Sequence, residues 1–296
     1  MGQGEHFLIL NQSKTLYLEN CQKYAILTNM DFQEFSKKLN KAFREHVGIE
    51  LDEKKCEQFF NFMNLLIEKN KVMNLTSITD PDEIILRHFV DSCIPLKFYD
   101  KICGKSDVGN EGIFETRLKE TRSTNFFENL YLVDIGTGAG FPGLPLAIVC
   151  DRTKFVLTDS LGKRINFLSE VIDQIKISNV ELVKSRAEDF CLQNEYREKF
   201  DFVFSRGVAK LSVLSEYCLP AIKLGGKMIS YKMDKIEEEL SDAQNAIKTL
   251  GGKFHVKHTY DLILDDPARC LVEIDKVSMT PKYYPRKAGI PAKTPL

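Results

Sequence analysis

The chain has 296 residues, of which 43% are hydrophobic and 28% are charged, and its formal net charge is −1. This composition is typical of a globular protein with one large or two modest domains and excludes a polycation, so any contact with nucleic acid must come from a local basic surface. No stretch approaches the ~20 apolar residues of a membrane span, and the N-terminus lacks the basic and apolar parts of a signal peptide. We therefore expect a cytoplasmic protein without a membrane partner.

The first part of the chain is predicted to be helical. After Asp31 the apolar residues recur at the three- and four-residue steps of one helix face. Asp52 is the predicted N-cap of a second helix. Asp80 followed by Pro81 is typical of the start of a third helix, which we expect to extend to about Phe89.

The second part of the chain alternates strands with helices. The predicted strands are Leu130–Ile135, Lys154–Thr158, Val180–Lys184, Phe200–Ser205, Gly226–Tyr231, Lys253–Leu262 and Arg269–Lys276, and the predicted helices cover 143–150, 161–176, 210–222 and 234–250. This alternation predicts an α/β fold with a mostly parallel seven-stranded sheet covered on both faces. The predicted organisation is an extension of unknown role at 1–29, a helical subdomain at 30–100, a linker insertion at 101–129, an α/β domain at 130–280 and a basic tail at 281–296.

A glycine-rich turn follows the first predicted strand. Gly136, Gly138 and Gly140 alternate with other residues after Asp134, and Phe141 follows them. Three glycines allow a sharp turn and a close approach of backbone to ligand, and the first turn of an open parallel sheet is where adenosine-bearing cofactors bind. Dinucleotide-binding turns have the spacing G-x-G-x-x-G instead, and Asp134 would repel a pyrophosphate but suits a cationic amino group. A tight turn without a ligand is the remaining alternative.

Three further strand ends are predicted to face the same crevice. Asp159 ends the second strand and can accept hydrogen bonds from ribose hydroxyls. The run 185–189 follows the third strand and is equally consistent with a plain helix start. Ser205 and Arg206 end the fourth strand, where they can face a cofactor or a substrate.

Together these motifs resemble one family. The runs Asp-Ile-Gly-Thr-Gly-Ala-Gly-Phe-Pro-Gly at 134–143, Asp-Ser-Leu-Gly-Lys-Arg at 159–164, Ser-Arg-Ala-Glu at 185–188 and Ser-Arg-Gly-Val-Ala at 205–209 are similar to those of the bacterial 16S ribosomal RNA guanine-N7 methyltransferases known as RsmG or GidB. The helical segments at 74–77 and 87–92 and the segment at 284–296 resemble the same family.

The resemblance implies a Rossmann-like class I methyltransferase fold with an N-terminal helical subdomain, and S-adenosyl-L-methionine as cofactor. It implies cofactor contacts at Gly136, Phe141, Ala187, Glu188 and Arg206. The implied substrate is 16S ribosomal RNA or a small-subunit intermediate, and a monomer is the expected state.

Methylation at guanine N7 requires no general base, because N7 carries a lone pair and no proton. We therefore predict catalysis by positioning, with no acid–base residue. The deep major groove of RNA hides N7, so the target nucleotide must be unstacked, and Phe141 or a tyrosine of the tail could stack on it. The predicted phosphate contacts are Lys163, Arg164, Lys210, Arg286 and Lys287.

Other functions remain open from the sequence. A methyltransferase acting on a small molecule or a protein would use the same sheet, and a ribosome-assembly factor could bind the cofactor without turnover. The eight cysteines form no C-x-x-C pair and none lies beside a histidine at zinc-finger spacing, so we expect buried free thiols and no metal site.

Overall fold

The structure is a computed structural model that describes residues 30–99 and 129–296. The predicted extension at 1–29 and all but one residue of the predicted insertion at 101–129 lie outside the described residues. Within the described ranges, no helix is long and apolar enough to cross a bilayer.

A seven-stranded sheet forms the centre of the molecule. Its strands are β1 Tyr131–Ile135, β2 Lys154–Asp159, β3 Val180–Lys184, β4 Phe200–Arg206, β5 Ile222–Met233, β6 Gly252–Tyr260 and β7 Arg269–Lys276. Their order is β3-β2-β1-β4-β5-β7-β6, with β7 antiparallel to both neighbours and the other pairs parallel. The chain therefore reverses its direction of strand addition between β1 and β4, and ligands of open α/β sheets bind outside the strand ends at such a point.

The seven strands confirm the sequence prediction to within one or two residues at their ends, except for the start of β5. The strand predicted to begin at Gly226 begins at Ile222, because the preceding helix ends at Cys218. A 3-10 turn at Leu219–Ala221 contains Pro220, which cannot donate a helical hydrogen bond. The helix predicted over 210–222 is accordingly shorter.

The helices of the α/β region range from 4 to 14 residues in length. They are α6 Gly143–Val149, α7 Gly162–Ile175, α8 Ala187–Leu192, α9 Leu211–Cys218, α10 Glu237–Thr249 and α11 Ile290–Lys293. The last of these lies in the segment that the sequence predicts to be a basic tail, so part of that tail is folded.

Two of the N-terminal helices begin directly after the predicted caps Asp52 and Asp80. The N-terminal helices are α1 Phe32–His46, α2 Glu53–Met73, α3 Pro81–Ile84, a π-helical turn Ile85–Val90, α4 Asp91–Cys93 and α5 Pro95–Tyr99. The side chains of Asp31, Asp52 and Asp80 each accept a hydrogen bond from the backbone three residues later, which satisfies an orphan donor of the first turn.

The N-terminal helices and the sheet share one hydrophobic core. Phe35 and Phe59 of the helices belong to the same buried cluster as Leu132 and Phe155 of the sheet, while Val133 and Ile135 belong to a second cluster on the opposite face. Alternate residues of β1 thus support both layers. The six described cysteines are buried and free, as predicted.

Candidate cofactor and substrate site

The glycine-rich turn lies at the carboxyl end of β1. Gly136 has φ +76°, and a Cβ added there would lie 2.5 Å from Cγ2 of Val208. The backbone amides of Gly136 and Thr137 both donate to the carbonyl of Thr158, so the turn is fixed to the end of β2. A residue larger than glycine at position 136 would have to displace the side chain of Val208 in the loop after β4, and it would be strained at this positive φ.

A cavity of about 460 Å³ opens beside this turn. This volume lies within the range of small-molecule sites. Its walls come from the carboxyl ends of β1, β2, β3 and β4 and from the C-terminal segment. The lining residues are Ile135, Gly136, Thr158, Asp159, Ser160, Arg164, Ser185, Arg186, Ala187, Glu188, Gly207, Val208, Tyr217, Gly289 and Ala292.

Asp159 is buried at the floor of this cavity. Its carboxylate accepts hydrogen bonds from the backbone of Gly138 at 3.1 Å and Leu161 at 2.9 Å, and from Nη1 of Arg164 at 3.0 Å. These three donors fix its orientation and occupy three of the roughly four acceptor sites of a carboxylate, which leaves one site on Oδ1 for a ligand. Arg164, predicted to contact RNA phosphate, is thus an ion-pair partner in the cavity wall.

Glu188 lies on the opposite wall, at the start of α8, and is 5% exposed. Its Oε1 accepts a hydrogen bond from the backbone of Gly289 at 2.8 Å. Among the described residues its Oε2 has no hydrogen-bond donor. A carboxylate oxygen without a donor at a cavity can accept a hydrogen bond from a ligand hydroxyl or amino group.

Four of the nine predicted cofactor residues line the cavity: Gly136, Asp159, Ala187 and Glu188. Gly138 and Gly140 shape the turn and have positive φ angles, but they do not line the cavity. The sequence thus identifies the strand ends that form the cavity, while several individual assignments need correction.

Asp134 does not face the cavity. It is fully buried, and its Oδ2 accepts a hydrogen bond from the backbone of Gly143 at 2.9 Å, which fixes the turn to the start of α6. Burial raises the pKa of Asp134 to about 6, against the opposing effects of the Thr137 hydroxyl and the Gly143 amide. The prediction that it holds a cationic amino group is therefore corrected to a role inside the turn.

Phe141 and Ser205 are likewise turned inward. Phe141 is 6% exposed and stacks on His88, with ring centroids 4.4 Å apart, and on Phe62, at 5.3 Å. The ring is thus covered by protein and is unavailable to a nucleobase. Ser205 is fully buried and donates to the carbonyl of Ile135 at 3.0 Å.

A second cavity, also of about 460 Å³, adjoins the first and shares Gly207 and Val208 with it. Arg206 lies in this cavity and not in the first. The lining residues are Asp91, Arg206, Gly207, Val208, Ala209, Lys210, Tyr231, Lys232, Met233, Glu239, Tyr260 and Arg269. They include four cations and two carboxylates, so the cavity is basic.

Asp91 is the centre of the charged network in the second cavity. The residue is 1% exposed, and its Oδ2 accepts from Nη1 of Arg206 at 2.8 Å and of Arg269 at 3.1 Å. Its Oδ1 accepts from the hydroxyl of Tyr260 at 2.8 Å. Since Asp91 belongs to α4, this network joins the helical region to the ends of β4, β6 and β7.

The predicted phosphate contacts differ in their surroundings. Lys163, Lys210 and Lys287 are exposed, and none forms an ion pair with a described residue. Arg286 instead forms a two-pronged ion pair with Glu216, which is 1% exposed. Its predicted role at an RNA phosphate is corrected to a structural contact.

Sequence reasoning missed two groups of site residues. Gly289 and Ala292 line the first cavity, yet the predicted basic tail carries no periodic pattern that would place it there. Arg269 and Tyr260 complete the Asp91 network from strands distant in sequence. A signal for Asp91 itself existed, because an acid inside an apolar helical run must be paired when it is buried.

Three features define the class of protein as a Rossmann-like, S-adenosylmethionine-dependent methyltransferase. They are the strand order, the glycine-rich turn after β1 and the paired acid at the end of β2. Comparison with known proteins identifies the family within this class. The profile of the family described as rRNA small subunit methyltransferase G matches residues 55–112 and 118–261.

Two relatives share this name over nearly their whole length. The ribosomal RNA small subunit methyltransferase G of Desulforamulus reducens is 44% identical over 258 residues, which cover 87% of this chain and 97% of the relative. That of Lactobacillus johnsonii is 41% identical over 268 residues, which cover 90% and 100%. Among solved structures, that of M. jannaschii TYW2 in complex with AdoMet covers 58% of this chain and 80% of its own, with 18% identity and a TM-score of 0.43. The chain belongs to the rRNA small subunit methyltransferase G family.

Proposed function

We propose that this protein transfers a methyl group from S-adenosylmethionine to N7 of a guanine in 16S ribosomal RNA, by in-line transfer without a general base. The observation that carries the proposal is the pair of adjoining cavities, one bounded by two buried carboxylates and the other basic. A ribosomal RNA substrate would be met in the cytoplasm.

The first cavity fits the cofactor. Asp159 and the unpartnered Oε2 of Glu188 are acceptors suited to the hydroxyl and amino groups of an adenosine. Gly136 lines this cavity at the end of β1 without a side chain of its own. When bound, S-adenosylmethionine supplies a methyl group on a sulfonium that a nucleophile can displace.

The second cavity suits the target nucleotide. Lys210 is exposed at this cavity and has no ion-pair partner among the described residues, so it is free to contact a phosphate. Tyr231 and Tyr260 contribute aromatic surface. The shared wall at Gly207 and Val208 would bring a base in this cavity next to a ligand in the first.

The surroundings of the titratable groups support a mechanism based on positioning. His88 is buried, and burial together with the nearby Arg206 lowers its pKa to about 3, so it is neutral and enclosed at neutral pH. Asp91 and Glu239, the carboxylates of the second cavity, are hydrogen-bonded to cations. Both carboxylates are therefore already engaged by donors of the protein itself. Alignment of the reactants is then the main contribution, worth up to about 7–11 kcal/mol in favourable cases.

The decisive experiment is methylation of defined RNA. We expect the purified protein to transfer tritium from labelled S-adenosylmethionine to small-subunit RNA or particles from cells lacking this enzyme, and strand scission specific for 7-methylguanine to occur at one position. The pH–rate profile should be flat in the neutral range. Labelling of protein or small molecules only, a different methylated atom, or no turnover despite cofactor binding would contradict the proposal.

A further inference from the structure

We infer that residues 280–296 are a fixed wall of the cofactor cavity and that Arg286 is a positioning residue for cofactor binding. The inference rests on the proposed function and extends it, because it assigns part of the cofactor affinity to a segment whose sequence is that of a basic tail. Three buried or partly buried contacts hold this segment, and each contact joins it to the α/β domain.

The first contact lies at the beginning of the segment. Oε1 of Glu198 accepts from the backbone of Thr280 at 2.8 Å. Arg197 donates to the carbonyls of Tyr284 at 2.8 Å and Thr280 at 3.0 Å. A guanidinium that binds two backbone carbonyls of the segment, at Thr280 and Tyr284, fixes the course of the segment before it reaches the cavity.

The second contact is the pair of Arg286 and Glu216. Nε and Nη2 of Arg286 lie 3.0 and 2.7 Å from the two oxygens of Glu216, and the backbone amide of Arg286 donates to the same carboxylate at 2.7 Å. Glu216 is 1% exposed and the Arg286 side chain is 13% exposed. The pair therefore sets both the position and the direction of the chain three residues before the cavity.

The third contact is at the cavity itself. The backbone of Gly289 donates to Glu188, and Gly289 and Ala292 form part of the lining. They face the wall formed by Ser185 to Glu188 after β3. Displacement of the segment would therefore open this side of the cavity and free both oxygens of Glu188.

The first test enlarges the wall without disturbing its anchors. Ala292 is exposed on its helix, so Ala292→Trp is compatible with folding, and the indole would compete with a ligand for the cavity. We expect the Kd of S-adenosylhomocysteine, measured by calorimetry, to rise by about tenfold or more, equivalent to about 1.4 kcal/mol. Lys293→Trp is the matched control, because Lys293 is exposed on the same helix and does not line the cavity. The Kd of this variant for S-adenosylhomocysteine should stay near the wild-type value.

The second test removes the positioning pair. Arg286→Met keeps the length of the side chain and loses both prongs. Lys227→Met is the matched control, because Lys227 pairs with the fully buried Glu273 away from the cavity. Binding is measured well below the melting temperatures of both variants. Only Arg286→Met should bind S-adenosylhomocysteine more weakly than the wild-type protein does. The affinity of Arg286→Met for 5′-methylthioadenosine should fall by a similar factor, because this ligand shares the adenosine that we place beside this wall. Arg286→Lys should restore part of the affinity.

The outcomes separate the two proposals. If wild-type protein binds neither ligand, the proposed function fails and the inference fails with it. If wild-type protein binds both ligands, and Ala292→Trp and Arg286→Met bind them as tightly, only the inference is overturned. Equal losses of affinity in Arg286→Met and Lys227→Met, with none in Ala292→Trp, would also overturn it.

Discussion

Two buried carboxylates beside the glycine-rich turn differ in what they face. Glu188 lines the cavity and accepts a hydrogen bond from the backbone of Gly289 with one of its oxygens. Asp134 is instead enclosed in the turn. The sequence places both acids at strand ends of the same sheet edge. It does not reveal that Asp134 lies on the same face of β1 as Leu132, toward the core shared with the N-terminal helices. That face is decided by which layer packs there, a long-range property.

At Glu188 we predict a specific loss of cofactor affinity. Glu188→Gln keeps the size and one acceptor oxygen but removes the charge and puts a donor where the second oxygen is. Because a hydrogen bond to a charged group contributes about 1.5–3 kcal/mol, the Kd of S-adenosylmethionine should rise at least about tenfold. Calorimetry tests this, with Glu181→Gln on β3, outside the cavity, as the control. Equal affinity of wild type and Glu188→Gln would refute the assignment.

At Asp134 we predict a signed effect of pH on stability. Its pKa is raised to about 6 in the folded protein, above about 3.9 in the unfolded chain, so between these values the folded state binds more protons. The free energy of unfolding should therefore fall as pH rises through this window, by up to about 3 kcal/mol. Asp134→Asn, which retains an acceptor for Gly143, should lack this contribution.

Urea unfolding of both proteins from pH 4.5 to 7 isolates the effect, because the other titrating groups are common to both. The stability of wild type relative to Asp134→Asn should decline across the range and level off above pH 6. A difference independent of pH would show that Asp134 has an ordinary pKa.

Among elements, the π-helical turn and α4 determine how the helical region meets the sheet. The turn Ile85–Val90 places Arg87 and His88 against β4, and Asp91 follows it at once. The carbonyl of Arg87 accepts from Arg206 at 3.1 Å, and the hydroxyl of Tyr231 donates to the carbonyl of Ser92 at 2.6 Å. π-Helical turns inside α-helices occur frequently at functional sites.

We predict that Asp91→Asn uncouples this junction. Removal of the charge leaves the guanidiniums of Arg206 and Arg269 without their shared carboxylate in a buried site, and such losses cost about 3–5 kcal/mol. Chemical denaturation measures this loss. Glu34→Gln, which breaks an exposed pair with Lys38, should change stability by no more than about 1 kcal/mol. A similarly small effect of Asp91→Asn would contradict the network.

The elements themselves were largely predictable, because apolar periodicity and caps are local signals. The strands, the caps at Asp52 and Asp80, and the helix after Asp159 all follow from a few neighbouring residues. The fold of the C-terminal segment was not predictable in this way. Its contacts join Arg286 to Glu216 and Gly289 to Glu188, across 70 and 101 residues, and no local pattern encodes such partners.

At the scale of the whole molecule, the proposed binding of a polyanion would take place on a protein whose net charge is −1. Some of its cations are paired and others are exposed. Arg164 and Arg286 are used in ion pairs, while Lys163, Lys210 and Lys287 are exposed without such a partner among the described residues. RNA affinity should therefore depend on the three lysines as phosphate contacts, and little on overall charge.

The combined substitution of these three lysines by alanine tests this division. Each contact with a phosphate of single-stranded RNA contributes about 0.7 to the slope of log affinity against log salt, so the slope should fall by about 2. Alanine at Lys41, Lys248 and Lys253, three exposed lysines outside both cavities, changes the net charge by the same amount and should leave the slope nearly unchanged. Binding to small-subunit RNA, measured across a salt series, gives both slopes. Equal slopes for the two triple variants would mean that bulk charge, and not a defined surface, attracts the RNA; cofactor affinity, measured in parallel, should be the same in both.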